Sequence, residues 1–315
     1  MVEDTLFFLH LCFKKQKRKP TMEKNIADDE RFIPFTSDYG FKVTFGNEQN
    51  TVFLKKALQI LIGSDIPIKK IFFKNTAFNA LTIEDRHGIF DLLCQDEKDN
   101  MFIVEMQLQA TLAFLNRLKF YNLHVLNGMI DKGKFDFNIK RKIYCIAFLG
   151  ADIFSFENCK NVLTLKNQDG LLADDQTTYI TVELNKFKLK ADEIKTDFEK
   201  LVYSIKYDKL MENTATRPAF MEEDWLKSAF EELDIRAMTP DKYRDYMMYK
   251  MRVAEGERLR EELVRESEKR GEERAEKRGI IKSAIKFTDW DNAKIAADLK
   301  VEIELVEQIR KELGK

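Results

Sequence analysis

Apolar residues recur along this chain at two different periods, and the switches between them mark the elements. Val52, Leu54, Leu58, Ile60, Leu61 and Ile62 line one face of a helix that follows a turn at Asp38–Gly40 and stops at Gly63 and Ser64. Lys69–Ile83 alternates well enough for one or two strands. Ile89–Gln95 and Met101–Leu108 then read as strands joined by the polar cluster Asp96–Asn100, a β-hairpin. The helical period returns over Thr111–Ile130, where Phe114, Leu115, Leu118, Tyr121, Val125, Leu126 and Met129 recur at three- and four-residue steps. Arg117 and Tyr121 stand four apart on that helix and so occupy neighbouring positions of one face. Lys140–Gly150 and Thr178–Asn185 read as buried strands, and Asp192–Asp208 as a helix. This order predicts an α/β fold with a mixed sheet.

Beyond Pro218 the pattern is helical throughout. Met221–Ile235 is amphipathic, and Pro240 suits the first position of a further helix. From Arg252 to Arg278 nine basic residues face nine acidic ones, with pairs such as Glu261/Arg265, Glu266/Arg270 and Glu273/Lys277 in the order that favours a solvated helix. Gly256, Gly271 and Gly279 weaken it, and too few heptad positions are apolar for a sustained coiled coil. In the last segment Ile295, Ala296 and Leu299, a turn at Lys300–Val301, and Leu305, Val306, Ile309 and Leu313 outline a small helix-turn-helix-like pair. Its second helix opens with Glu302, Glu304 and Glu307, which oppose phosphate. Packing or self-association is therefore favoured over DNA reading there.

The domain organisation that results is a leader over 1–21, a catalytic-type domain over 22–217, a helical extension over 218–250, a charged helix or linker over 251–282 and the terminal pair over 283–315. In the leader, the apolar run Leu6–Phe13 is too short to span a bilayer, and KKQKRK follows it, whereas an export signal carries its charges first. Residues 1–21 thus read as an upstream extension of the start, with a basic arm as the rival, and no membrane partner is expected. Of 315 residues, 44% are apolar and 34% charged, enough for one substantial core, and the net charge of −1 supplies no global field toward nucleic acid. Cys12, Cys94, Cys145 and Cys159 lack metal-ligand spacing and suit reduced packing residues of a cytoplasmic protein. His10, His87 and His124 are too scattered for a zinc site.

Chemistry enters at the hairpin. Asp91 interrupts its first strand, Glu105 and Gln107 its second, and a carboxylate among Phe, Leu, Ile and Val is costly unless it is paired, hydrogen-bonded or metal-bound. Glu105 and Gln107 share a face by alternation. Asp91 joins them only if paired residue numbers sum to 196, which requires an odd loop such as Glu97–Lys98–Asp99; a two-residue Lys98–Asp99 turn sends Asp91 to the wrong face. Two carboxylates and an amide converging in this way make a hard-cation site of the magnesium kind. Asp38, Lys42 and Gly46 punctuate an aromatic-rich stretch and are further candidates, beside the simpler reading that Asp38 shapes a turn and Lys42 is solvated.

The stretches TSDYGFKVTFGNEQNTVFLKKAL, DRHGIFDLLCQDEKDNMFIVEMQ, RLKFYNL and KIYCIAFLG resemble the recombination-promoting nuclease/transposase family of the PD-(D/E)XK nuclease superfamily, over roughly Phe32–Lys209. The resemblance implies a restriction-endonuclease-like core, a mixed β-sheet flanked by helices, with an all-helical C-terminal extension. It also implies an Mg²⁺-dependent, or Mn²⁺-dependent, DNA endonuclease linked to recombination or mobile elements. Asp91 and Glu105 would then be metal ligands, the Met106 carbonyl a third, and Gln107 would stand where that superfamily usually has a lysine. Asp38, in the D-Y-G-F-K motif, would add an acidic group, and Phe90 replaces the proline of the superfamily's name. Lys42, Arg117, Tyr121, Lys140, Arg141 and Lys142 are the candidates for contact with DNA, and the C-terminal helices for homo-oligomerisation. The alternatives are a nuclease fold retained as a binding module, and a defence or toxin nuclease.

Overall fold

The computed structural model describes residues 31–75, 77–78, 88–130, 140–207 and 217–314. These fall into two compact units, one ending at Met238 and the other spanning Thr239–Lys315. The expectations for the leader, Cys12, His10, His87, residues 79–83 and Asp208 lie outside the described residues.

In the first unit six strands form one sheet: β1 (Ile71–Phe73), β4 (Leu92–Asp96), β5 (Met101–Gln107), β6 (Ile143–Leu149), β7 (Lys160–Lys166) and β8 (Leu172–Glu183), in the order β1-β4-β5-β6-β8-β7. β5, β6 and β8 run parallel, while β1, β4 and β7 pair antiparallel. A separate two-stranded sheet joins β2 (Ala77–Phe78) to β3 (Gly88–Ile89). β6 is central and buried on both sides, so its residues divide by alternation. Phe148 meets Phe45 on one face, while Ile143, Cys145, Ala147 and Leu149 face the helix α3 (Ala113–Gly128) on the other.

The first face is closed by α1 (Asp38–Thr44), α2 (Val52–Ile62), α4 (Asp197–Lys206) and α5 (Asp224–Leu233). An aromatic cluster sets this packing: Phe35 touches Phe53 and Phe230, Phe45 touches Phe53, and Phe53 stacks on Trp225 of α5. The N-terminal segment is tied to the end of α5 by Ile33 N–H to the Leu233 carbonyl (3.0 Å) and by the Arg31–Asp234 ion pair (2.7 Å). The helices after Pro218 therefore complete the same compact unit, which runs on to Met238 rather than closing at 217.

This is the expected mixed sheet flanked by helices, with several corrections of detail. Asp38–Gly40 is the first turn of α1 rather than a free turn: Ser37 Oγ accepts from Gly40 N–H at 3.0 Å and caps it. Gly40 is required by space, since a Cβ there would lie 2.0 Å from the Pro34 carbonyl. On α2 the buried positions are Phe53, Leu54, Ala57, Leu58 and Leu61, and Val52 is exposed; Gly63 ends the helix in the left-handed conformation as expected. Helix α4 starts only at Asp197, where Thr196 and Glu199 form a capping box. Strand β7 was not legible because its apolar Val162 and Leu165 point outward while Asn161 is buried, donating to Asn158 and to Glu183. Buried Glu183, at the end of β8, also accepts from the Ile153 and Phe154 N–H groups and pairs with Lys186, fixing the loop that follows β6.

The second unit opens with the helix α6 (Pro240–Phe287), capped by Thr239, continuous through Gly256, Gly271 and Gly279 and through the expected boundaries at 250 and 282. At 48 residues it is about 72 Å long. Its last turns pack on α7 (Asn292–Leu299) and α8 (Ile303–Glu312) around Ile281, Ile285, Ile295, Val306 and Ile309. The terminal pair is therefore one side of a small three-helix core.

Candidate active site

Hairpin register decides whether Asp91 and Glu105 meet. The pairs Leu92↔Val104, Leu93↔Ile103, Cys94↔Phe102 and Gln95↔Met101 each sum to 196. The odd loop is present: Asp96 N–H donates to the Asn100 carbonyl (3.1 Å), leaving Glu97–Lys98–Asp99 as the loop, with Asp99 left-handed at φ 63°. Buried Asp96 holds it by accepting from Lys98 N–H (2.8 Å) and Asn100 N–H (2.9 Å).

One expectation fails in an informative way. The first strand does not run unbroken over Ile89–Gln95: β4 begins at Leu92, and the chain bends at Asp91. Continued ladder pairing would give the Met106 N–H to the Phe90 carbonyl. Instead it donates to Asp91 Oδ2 at 3.0 Å, and Asp91 N–H donates to Glu105 Oε1, also at 3.0 Å. Each carboxylate is thus held by a backbone N–H of the other segment. Gly150 N–H takes the Gln107 carbonyl on the β6 side, so alternation turns the Met106 N–H and carbonyl toward the side that β4 has vacated.

Glu105 is 1% exposed. Burial first, and then the neighbouring Asp91 carboxylate, push its pKa up to about 8, against the downward pull of the Asp91 N–H and of Arg117. Asp91 as a residue is exposed, but its carboxylate is turned in against β5. Desolvation accordingly dominates and raises its pKa, the Met106 N–H opposes, Asp38 adds to the rise and Arg117 opposes.

Arg117, on α3, reaches both residues of β5. Its Nη2 lies 2.8 Å from Gln107 Oε1 and 3.5 Å from Glu105 Oε2, and its guanidinium rests on the Phe114 ring (4.6 Å) and near that of Tyr121 (6.0 Å). Gln107 Nε2 donates to the Gln109 carbonyl at 3.2 Å. On the other side of Asp91 a cleft of about 480 Å³ is lined by Asp38, Lys42 and Gly46 from α1 and the turn after it, by Glu48, by Lys74 and Asn75 after β1, and by Met106.

The structure thus brings together Asp91, Glu105, Gln107 and Arg117, with Asp38 and Lys42 along the adjoining cleft. It does not bring in Lys140, Arg141 or Lys142. Because β6 runs parallel to β5, they lie beyond its Met101 end, which is itself about 13 Å along the strand from Glu105. Lys142 there pairs with Asp175 (2.6 Å), and Arg141 donates to the Met129 carbonyl. Nor is Tyr121 a surface residue: it is buried edge-on against Phe90. Sequence reasoning did not single out Lys74 and Asn75, which belong to no motif, or Glu48, which lies inside a stretch quoted above; the one available signal was that Lys74 and Asn75 end the apolar run of β1. Among the described residues no three His, Cys, Asp or Glu side chains gather into a metal-binding group, and no helix is long and apolar enough to cross a membrane.

Residues 35–257 match the family model described as PD-(D/E)XK nuclease family transposase. No curated protein and no solved structure matches the chain.

Proposed function

The chain belongs to the PD-(D/E)XK nuclease family transposases, and from that premise we propose that it is a divalent-metal-dependent endonuclease hydrolysing phosphodiester bonds of DNA. The observation that carries this is the Asp91–Glu105 pair. Two carboxylates, one at the bend before β4 and one on β5, are each held by a backbone N–H of the other segment, and desolvation raises the proton affinity of both. Such a donor set fits Mg²⁺ or Mn²⁺, which takes one or two carboxylates and completes its shell with water and phosphate oxygen. Asp91, Glu105 and the Met106 carbonyl would hold the ion, which supplies a Lewis acid that acidifies water and offsets phosphate charge.

The remaining work falls to this chain's own groups. The Met106 N–H keeps Asp91 aimed along the strand edge, and the Asp91 N–H does the same for Glu105. Asp38 adds negative charge beside Asp91. Lys42 and Lys74, exposed along the cleft, hold the DNA backbone by charge without reading sequence. A role in recombination or in the movement of genetic elements rests on the family's description.

The test is plasmid nicking by the purified full chain with Mg²⁺ or Mn²⁺, beside Asp91→Ala and Glu105→Gln. Nicking by wild type that falls at least ~100-fold in both variants is expected. Equal nicking by wild type and Asp91→Ala, or none by either, refutes the assignment; DNA binding without cleavage would favour a nuclease fold retained as a binding module.

A further inference from the structure

The carboxylate pair has its own cation. Among the described residues Arg117 alone forms an ion pair with Asp91 or Glu105. Its position is set from three sides: Phe114 beneath the guanidinium, Tyr121 one helical turn on, and Gln107 Oε1 at 2.8 Å. Gln107 is committed at both ends, its oxygen to Arg117 and its nitrogen to the Gln109 carbonyl. Those two bonds fix the plane of the amide and aim its oxygen at the guanidinium.

Both of Arg117's bonds use Nη2, and its side chain is 43% exposed. The Nε–H and Nη1–H groups therefore stay available as single donors to an incoming anion, on a cation that the Phe114 ring and the Gln107 amide hold in place. Lys42 and Lys74 line the cleft on the other side of Asp91 and carry no such fixed geometry.

On the hydrolase assignment above, we propose that Arg117 is a catalytic residue contacting the scissile phosphate, and that Gln107 is the residue that positions it. In the step it serves, a water oxygen forms the new P–O bond and the P–O bond to the leaving ester oxygen breaks. One water proton goes to solvent, and the leaving oxygen ends protonated. The negative charge that accumulates on the non-bridging oxygens between those events is what the Arg117 guanidinium stabilises. The positive charge thus arrives from helix α3, and the strand contributes only the amide that aims it.

A charge relocation tests this. A lysine at 107 would place its ammonium in the space the guanidinium now fills, so the proteins to compare are wild type, Arg117→Gln, Gln107→Lys and the double variant Gln107→Lys/Arg117→Gln, all as the full chain. Three quantities are read: the single-turnover nicking rate at saturating plasmid, Mg²⁺ affinity by calorimetry, and the melting temperature. Arg117→Gln should lose at least ~100-fold in rate while binding Mg²⁺ as tightly as wild type or more so, since Glu105 loses a competing cation. The double variant should recover at least about tenfold over Arg117→Gln, and Arg117→Lys, which keeps the charge without the planar group that Phe114 and Gln107 hold in place, should lose about tenfold.

Wild-type rate in Arg117→Gln overturns the proposal. So does a folded double variant no faster than Arg117→Gln. Loss of Mg²⁺ affinity in step with rate would show that Arg117 only holds Glu105 in place, and overturns it too. Absence of nicking by wild type itself strikes instead at the hydrolase assignment, and the proposal falls with it.

Discussion

Glu105 should surrender a proton whenever a divalent cation binds. With its pKa pushed up to about 8, about 90% of the carboxyl is protonated at pH 7, and an Mg²⁺ ion must displace that proton to reach the oxygen. Calorimetry in two buffers of different ionisation enthalpy should show release of about 0.9 proton at pH 7, falling to about 0.1 at pH 9. Apparent affinity should weaken roughly tenfold per pH unit below 8. The same shift governs stability of the metal-free protein. The folded pKa lies above the ordinary 4.5 of an unfolded chain. The contribution of Glu105 is therefore complete below that value and is lost as pH rises through about 8. The gap is worth on the order of 5 kcal/mol. Glu105→Gln removes it, so without divalent ions this variant should melt about 5–10 °C above wild type at pH 8.5 and close to it at pH 4.5. Added Mg²⁺ should raise the melting temperature of wild type but not of the variant. Proton-neutral binding at pH 7, together with identical melting of wild type and variant at pH 8.5, would refute the reasoning.

Three further outcomes follow from packing and placement. Phe148→Ala, at a fully buried position where β6 meets Phe45, should cost about 3–5 kcal/mol in urea unfolding. Asp99→Val, a β-branched residue forced to the left-handed φ of the hairpin loop, should cost about 1–2 kcal/mol, whereas Asp99→Gly stays within about 0.5; urea melts separate the two. Lys142→Ala, at the sheet end away from Glu105, should leave the nicking rate within about twofold of wild type, since a half-buried lysine already paired with Asp175 acts on DNA at that distance only through screened charge.

The hairpin and its register were legible because side-chain alternation leaves only two states, and burial of one face selects between them. Helix α3 was legible for the same kind of reason: Phe114, Leu118, Tyr121 and Val125 repeat without interruption. What escaped was set by long-range contacts. Nothing local says that Trp225 and Phe230 belong under Phe53 and Phe35, so the compact unit reads as ending too early. Asn161 facing in and Val162 facing out reverse the pattern that reveals a strand, because buried Glu183 needs a donor there. At the site, the acids were visible as residues that a core strand should not contain. The link from Arg117 to Gln107 was not visible, since ten positions separate them and only the packing of α3 on β5 closes the gap.

The three residues Glu97–Asp99 behave toward the site as a reading frame behaves toward a message. Their identities can vary, within the limits of one left-handed position, without the acids noticing. What matters is the frame they close, with Asp96 opposite Asn100. A slip of the pairing by one residue leaves every site residue in the sequence and turns Asp91 to the opposite side of the sheet from Glu105, while a slip of two restores the face. Loss of function through such a slip would leave no mark on any residue of the site itself, and the apolar faces of the hairpin, which hold the frame, guard the site without touching it.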